Sequence, residues 1–408
     1  MKVSLKACLT ALALASLVSA NLAPASAAQP ISTATNEASA TPVAISETTM
    51  ASLDPAFTGY ADAQEAVINH PKLGVPALAK IEVGEKATKT QSLSTAKSNL
   101  DSILPTLDPP AKGGFKPTVE VVPLEVLSAS GDTQKVLANV TTTISSAPLD
   151  DGTSEPSSWS DKHILTLSKI SNTWVVTGDE YTSEEEAPVD YGDVLPDEKA
   201  APTDRSSATK MIIASPALSP SSPAATKYPT QTKINASRFS AYALEHTRGK
   251  FNKDGKEYKN SPYPSYGNNC SNFASQVLDY AGWYTTGGNS LQVKSLDKWT
   301  YNLSGFKGAT RTWSQARSLF TFAKNTGTYA KMGNIWNART GDLLFTDWDP
   351  NKKHDGLIDH VMVVSGRSSG TPKISQKSPN KSNVSLNTTI ALIKKQGRST
   401  VWYGLSHK

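Results

Sequence analysis

Cysteine is almost missing from this 408-residue chain, which has only Cys8 and Cys270. Cys8 lies in an N-terminal apolar run and is expected to leave with it. A lone thiol cannot close an intramolecular disulfide, so Cys270 is an intermolecular link, an inert buried residue or a reactive group. The sequence also lacks H-E-x-x-H, paired cysteines and clustered histidines, so neither a metal nor a cofactor is expected. It has no glycine-rich phosphate loop and no internal repeat. No later apolar stretch is long enough to span a bilayer. Arginine is missing from Gln29 to Ala200.

The N-terminus carries the signals of an export leader. Lys2 and Lys6 form a basic start, a run of small and apolar residues extends from Ala7 to about Ala20, and Ala25-Ser26-Ala27 is an A-x-A cleavage site. Cys8 comes too early to be a lipid anchor. Removal of residues 1–28 and a secreted protein, extracellular or associated with the cell wall, are expected.

Charge divides the rest. Gln29 to Ala200 has 25 acidic and 11 basic residues, a net of −14, whereas Ala201 to Lys408 has a net of +17. Two consequences follow. The basic half is drawn to an anionic wall polymer, or the acidic and basic parts dock on each other; salt weakens both. Neither nucleic acid nor membrane insertion is expected.

Patterning adds boundaries. Residues 29–50 form a flexible Ala/Ser/Thr/Pro tail. Residues 51–185 begin with helical stretches (YADAQEAVINH, KTQSLSTAKSNLDSIL) and turn at Pro117 to a period of two. TVEVVPLEVLSA, QKVLANVTTTISS, DKHILTLSKIS and NTWVVTGDEYT predict an antiparallel meander, hence a small α+β domain. Its sheet resembles cystatin-like or NTF2-like folds, and His163 reads as a sheet residue. Residues 186–232 are a Pro/Ser/Ala-rich linker, and 233–408 form the second domain.

The second domain opens on a helix, INASRFSAYALEHTRGK, followed by a tyrosine-rich loop. Turn residues Tyr266 to Asn269 then lead into a helix that ends near Gly282 and has Cys270 in its first turn. Backbone N–H groups and the helix dipole favour a thiolate there. The sulfur also shares the apolar stripe of Phe273, Ala274, Val277, Leu278 and Ala281, so a small buried hydrophobe is the competing reading. Among the six histidines, His360 begins the apolar strand HVMVVSG and is the expected base; His354, in the charged loop NKKHDG, comes next. Asp342 and Asp359 read as turn and strand-start residues.

NCSNFASQVLDYAGW resembles D-C-T-N-F-x-S-Q-x-L-x-x-G-G of the amidase domain family of secreted bacterial proteins. GDLLFTDW…IDHVMVVSG resembles that family's second block, and ISQKSPNKSN is similar to its third. The family is related in pattern to CHAP and NlpC-type peptidoglycan hydrolases. The resemblance implies a papain-like α+β fold with Cys270 as nucleophile and His360 as base. Asn269 replaces the family's Asp, and Lys377 its His in the third block. Gln376, or Asn380 across a turn, is then the candidate to orient the imidazole.

The expected chemistry is acyl transfer. His360 takes the Cys270 proton, the thiolate attacks an amide carbonyl, and a backbone N–H of Cys270 or Ser271 holds the oxyanion. Tyr266 and Trp348 are candidates to line a substrate groove. Three readings stand: an amidase or endopeptidase acting on wall peptidoglycan, a cysteine peptidase or acyltransferase acting on proteins, and a non-catalytic wall-binding protein.

Overall fold

The computed structural model describes residues 47–82, 87–182, 227–248, 263, 266, 269–305, 308–348, 354 and 356–408. The expected leader and tail up to residue 46, and most of the expected linker, lie outside these. The fold is mixed α/β, with an antiparallel sheet and eight α-helices among the described residues.

Helices α1 (Glu47–Asn69), α2 (Val75–Glu82) and α3 (Ala87–Leu100) precede four strands: β1 (Thr118–Ser130), β2 (Thr133–Ile144), β3 (Ser157–Ile170) and β4 (Thr173–Tyr181). In α1, Leu53, Phe57, Tyr60, Gln64, Val67 and Ile68 recur at helical spacing and are buried. In β2, Val136, Ala138, Val140, Thr142 and Ile144 alternate inward as the period of two requires. The sequence pattern therefore holds here, with α2 the element it did not reveal. β3 begins four residues before the predicted strand DKHILTLSKIS, and Ser157 to Asp161 are all buried.

Next come α4 (Ala236–Glu245), α5 (Cys270–Tyr280), α6 (Arg311–Ser314), α7 (Ala316–Asn325), β5 (Tyr329–Lys331), β6 (Leu343–Asp347), β7 (His360–Ser368), β8 (Thr371–Gln376), β9 (Lys381–Ser385), α8 (Leu386–Lys395) and β10 (Val401–His407). The strands lie in the order β1-β2-β3-β9-β8-β7-β6-β10-β5, with β4 paired to β3. One sheet thus runs through both stretches of sequence, joined where Ser158 and Trp159 of β3 pair with Ser382 and Lys381 of β9.

Alternation on the central strands builds two apolar faces. Leu343, Phe345, Val361, Val363, Tyr403 and Leu405 pack with α4, α5, α7 and a tryptophan-rich cluster. Leu344, Met362, Val364, Ile374 and Trp402 pack with Trp348, Leu386 and Ile393. Val384 and Leu392 join the cluster formed by α1, α3 and β1–β4, so apolar packing also crosses the β3–β9 junction.

Buried ion pairs cross it too. Lys373 Nζ meets Asp108, and Lys381 Nζ lies 3.2 Å from Asp161 Oδ1. Both lysine side chains are almost fully buried, and each has its carboxylate from the N-terminal stretch. Losing one partner of such a pair leaves an uncompensated buried charge.

Candidate active site

Cys270 is the first residue of α5, as the turn residues before it predict. Asn269 precedes the helix without capping it through its side chain. Its Oδ1 instead accepts from Asn272 Nδ2 at 2.7 Å, while Asn272 Oδ1 accepts from the Trp313 indole at 2.6 Å. Trp313 packs against Trp299, Tyr263 and Tyr301, so this relay pins the first turn to the aromatic cluster. Asn269 therefore has a structural part in holding the turn that carries the thiol.

The Cys270 sulfur lies 3.7 Å from Ser271 Oγ and 4.0 Å from the Asp359 carbonyl oxygen. That carbonyl belongs to the peptide bond leading into His360. The thiol is 4% exposed. The thiol read as reactive is thus not exposed to solvent: Cys270 sits in the apolar cluster with Phe273, Ala274 and Val277, the stripe its helix pattern showed. Ser271 is buried beside it, in the turn whose N–H groups have no acceptor within the helix.

His360 is fully buried as the first residue of β7. Its ring stacks on Trp348, with centroids 4.1 Å apart and planes at 21°. Trp348 is fixed by its backbone N–H, which donates to Asp359 Oδ2 at 3.0 Å, and the Arg398 guanidinium lies 4.7 Å from its ring centroid. Burial holds His360 well below the usual imidazole range, and the Arg398 and Lys381 charges lower it further. Gln376, on the same face, opposes them by favouring the protonated ring. Its Nε2 donates to the Pro379 carbonyl at 3.0 Å, which leaves the amide oxygen as the group that favours a protonated ring.

Sheet register explains this placement. Val363 pairs with Ser375 and Val364 with Ile374, so the same register sets Gln376 opposite Met362, diagonal to His360 and on the same face. Asn380, the alternative partner, is turned elsewhere, and its Nδ2 donates to the Thr247 carbonyl at 2.7 Å. The Lys377 charge acts on His246, whose pKa is lowered first by burial and then by that lysine.

Trp348 and Tyr266 differ from the expected groove residues in their surroundings. Trp348 is buried against His360, and Tyr266 is half-buried against the aromatic cluster, which pushes its hydroxyl pKa up. Asp342 ties the Gly341-Asp342 turn to the C-terminal strand, accepting from the Arg339 and His407 backbone N–H groups at 2.8 and 3.0 Å. Asp347, at the end of β6, bonds His354 Nδ1 at 3.2 Å and the Gly356 N–H at 2.9 Å, while His354 Nε2 lies 2.9 Å from Ser399 Oγ. His354 therefore straps its own loop to the turn after α8. His163 bonds Asp179 at 2.6 Å within the sheet, as a structural residue does.

Sequence reading missed Arg398 and Lys381. Both reach the His360 neighbourhood through tertiary folding; Lys381 falls inside the ISQKSPNKSN block, but at a position that block leaves open.

Residues 233–402 match the family described as "Putative amidase domain". The amidase segment begins just before α4, ends inside β10 and contains Cys270, His360 and Gln376, and the match points to hydrolysis of an amide C–N bond. No curated protein matches the chain, and no solved structure matches it.

Proposed function

We propose that the protein is a secreted, cysteine-dependent amide hydrolase acting on the peptides of cell-wall peptidoglycan. Cys270 is the nucleophile, His360 the base, and Gln376 the residue that orients the base. The observation that carries this reading is the 4.0 Å approach of the Cys270 sulfur to the peptide bond leading into His360. A helix-borne cysteine set against an antiparallel sheet, with histidine at a strand start, also supports a papain-like arrangement. The leader signals and the basic character of the second half support export and an anionic wall substrate.

In this reading the thiol and imidazole meet around the first peptide of β7. Strand alternation puts His360 on the side of Met362 and Val364, whereas α5 covers the side of Val361 and Val363. The encounter is therefore at the strand end and not across the sheet. A histidine kept neutral by burial accepts the thiol proton. The sulfur attacks the amide carbonyl, and the Ser271 N–H at the positive end of α5 stabilises the oxyanion. The imidazolium, steadied by the Gln376 oxygen, protonates the leaving amine. Water then hydrolyses the thioester and returns the proton to His360.

The test is incubation of the chain lacking residues 1–28 with purified peptidoglycan, followed by mass spectrometry of the soluble products. Wild type should release fragments cut at amide bonds, and Cys270→Ala should release none. Cleavage of proteins alone would move the substrate to the protein-peptidase reading. Wall binding that survives Cys270→Ala, with no hydrolysis by wild type, would sink the enzymatic reading.

A further inference from the structure

A row of buried polar side chains crosses the β3–β9 junction toward the candidate site. Lys381 on β9 is the register partner of Gln376 on β8 and also of Trp159 on β3. Register partners share a sheet face, and residues two apart on a strand share it as well. Asp161, Lys381, Gln376 and His360 therefore lie on one face of β3, β9, β8 and β7 in turn. Their contacts agree: Lys381 meets Asp161 Oδ1 at 3.2 Å and Gln396 Nε2 donates to the same oxygen at 2.9 Å, while strand register sets Gln376 on the His360 face. Gln396 follows α8 directly, and Arg398 two residues later covers Trp348.

We infer that Asp161 is a positioning residue of the amidase centre: through it the N-terminal stretch supplies the counter-charge that holds Lys381 beside Gln376 and His360. The amidase segment alone contains the cation but not this anion. The centre is then completed by residues outside the family match, and the N-terminal stretch is more than a spacer. The inference rests on the reading of His360 as the base.

Several groups surround that imidazole. Trp348 stacks on it from the end of β6, Gln376 lies on β8, Lys381 on β9 and Arg398 in the turn after α8, while the Cys270 sulfur meets the Asp359 carbonyl just before the strand. The Asp359 carboxylate is held by the Trp348 N–H, and that of Asp347 by His354 and Gly356. Of the two cations that disfavour the protonated ring, Lys381 has Asp161 as its partner. Removing Asp161 leaves a cation facing the ring, and removing the Lys381 charge leaves an anion. The two changes have opposite signs at His360.

The experiment uses the full chain lacking residues 1–28, as Asp161→Asn, Lys381→Met and the double variant. Urea unfolding verifies that each is folded. The His360 Cε1 resonance of histidine-labelled protein, assigned through its loss in His360→Gln, is followed against pH together with the acid limb of kcat/KM on peptidoglycan. Lys381→Met should raise the His360 midpoint by about one pH unit, roughly tenfold in proton affinity, and Asp161→Asn should lower it. The double variant should return to within a few tenths of a unit of wild type. A structural role alone would not produce opposite displacements that cancel. Unmoved midpoints, or single variants displaced in the same direction, would overturn the inference. The resonance does not depend on turnover. Opposite displacements in a chain that hydrolyses nothing would leave the charge row standing and remove the proposed function, whereas hydrolysis with unmoved midpoints would do the reverse.

Discussion

Acidification should destabilise this protein through His360 by an amount that can be worked out in advance. The ring is fully buried and its pKa is well below the ordinary 6.5. Between the folded and unfolded pKa values the unfolded chain binds more protons, so stability rises with pH in that window. The contribution is complete above about pH 6.5 and is lost as the pH falls. With an unfolded pKa of 6.5 and a much lower folded one, the loss from pH 7.5 to 5.5 is about 1.4 kcal/mol. His246, also lowered by burial, acts in the same direction, and carboxylates add their own dependence. Comparison with His360→Gln removes both, because the variant keeps every other titrating group. Urea unfolding of the two proteins at pH 7.5, 6.5 and 5.5 gives two curves. The stability of wild type relative to the variant should fall by about 1.4 kcal/mol across that range. Parallel curves would show that His360 titrates normally when folded, and the account of its environment would fail.

Other outcomes follow from the same geometry. His360→Ala and Cys270→Ala should each remove peptidoglycan hydrolysis, and the double variant should be little worse than either, because groups acting as a unit lose their effect together; activity retained by His360→Ala would shift the base to His354. Iodoacetamide should modify native Cys270 more slowly than it modifies a short cysteine peptide, since the thiol is 4% exposed, and equal rates would contradict that burial. Trp348→Ala should cost about 3–5 kcal/mol in urea unfolding, because it empties the space between His360 and Arg398, whereas a loss below about 1 kcal/mol would deny the stack any weight. Gly341→Ala should cost at least about 1 kcal/mol, since φ is +97° and a Cβ there would lie 2.5 Å from Ile234 Cδ1; an unchanged midpoint would refute it.

Much of this architecture is legible in the sequence where the signal is periodic and local. Alternation from Pro117 marks four real strands, and the turn before Cys270 marks the start of α5. His360 is read as a strand start because apolar residues follow it at once, and β7 begins there. The burial of Cys270 and Trp348 is less legible, because a side chain near a polar loop is covered by elements distant in sequence. Gln376 was readable only as one of two amides. Register chooses between them, since it sets Gln376 on the His360 face while Asn380 turns to Thr247. Asp161 gave no signal at all: in the sequence it is one polar position in an alternating strand, and its partners lie more than two hundred residues away.

The long strand β3 has a consequence for how the chain folds. Its residues His163 to Ile170 pair with β4, while Ser158 and Trp159 pair with β9, so one edge of a single strand is shared by two neighbours. The β4 part closes through a short turn. The β9 part closes a loop of more than two hundred residues, a contact between Ser157 and Asn383 being separated by 226 positions. Long-range pairing of this kind is slow to form, so during synthesis the first half of β3 must wait as an open edge while the rest of the chain is made. Open edges invite pairing with other chains, and polar or charged residues discourage it. The waiting stretch reads Ser157, Ser158, Trp159, Ser160, Asp161, four polar residues in five. The composition that suits this edge to its final polar partners is also one that lets it stay unpaired without aggregating until β9 arrives.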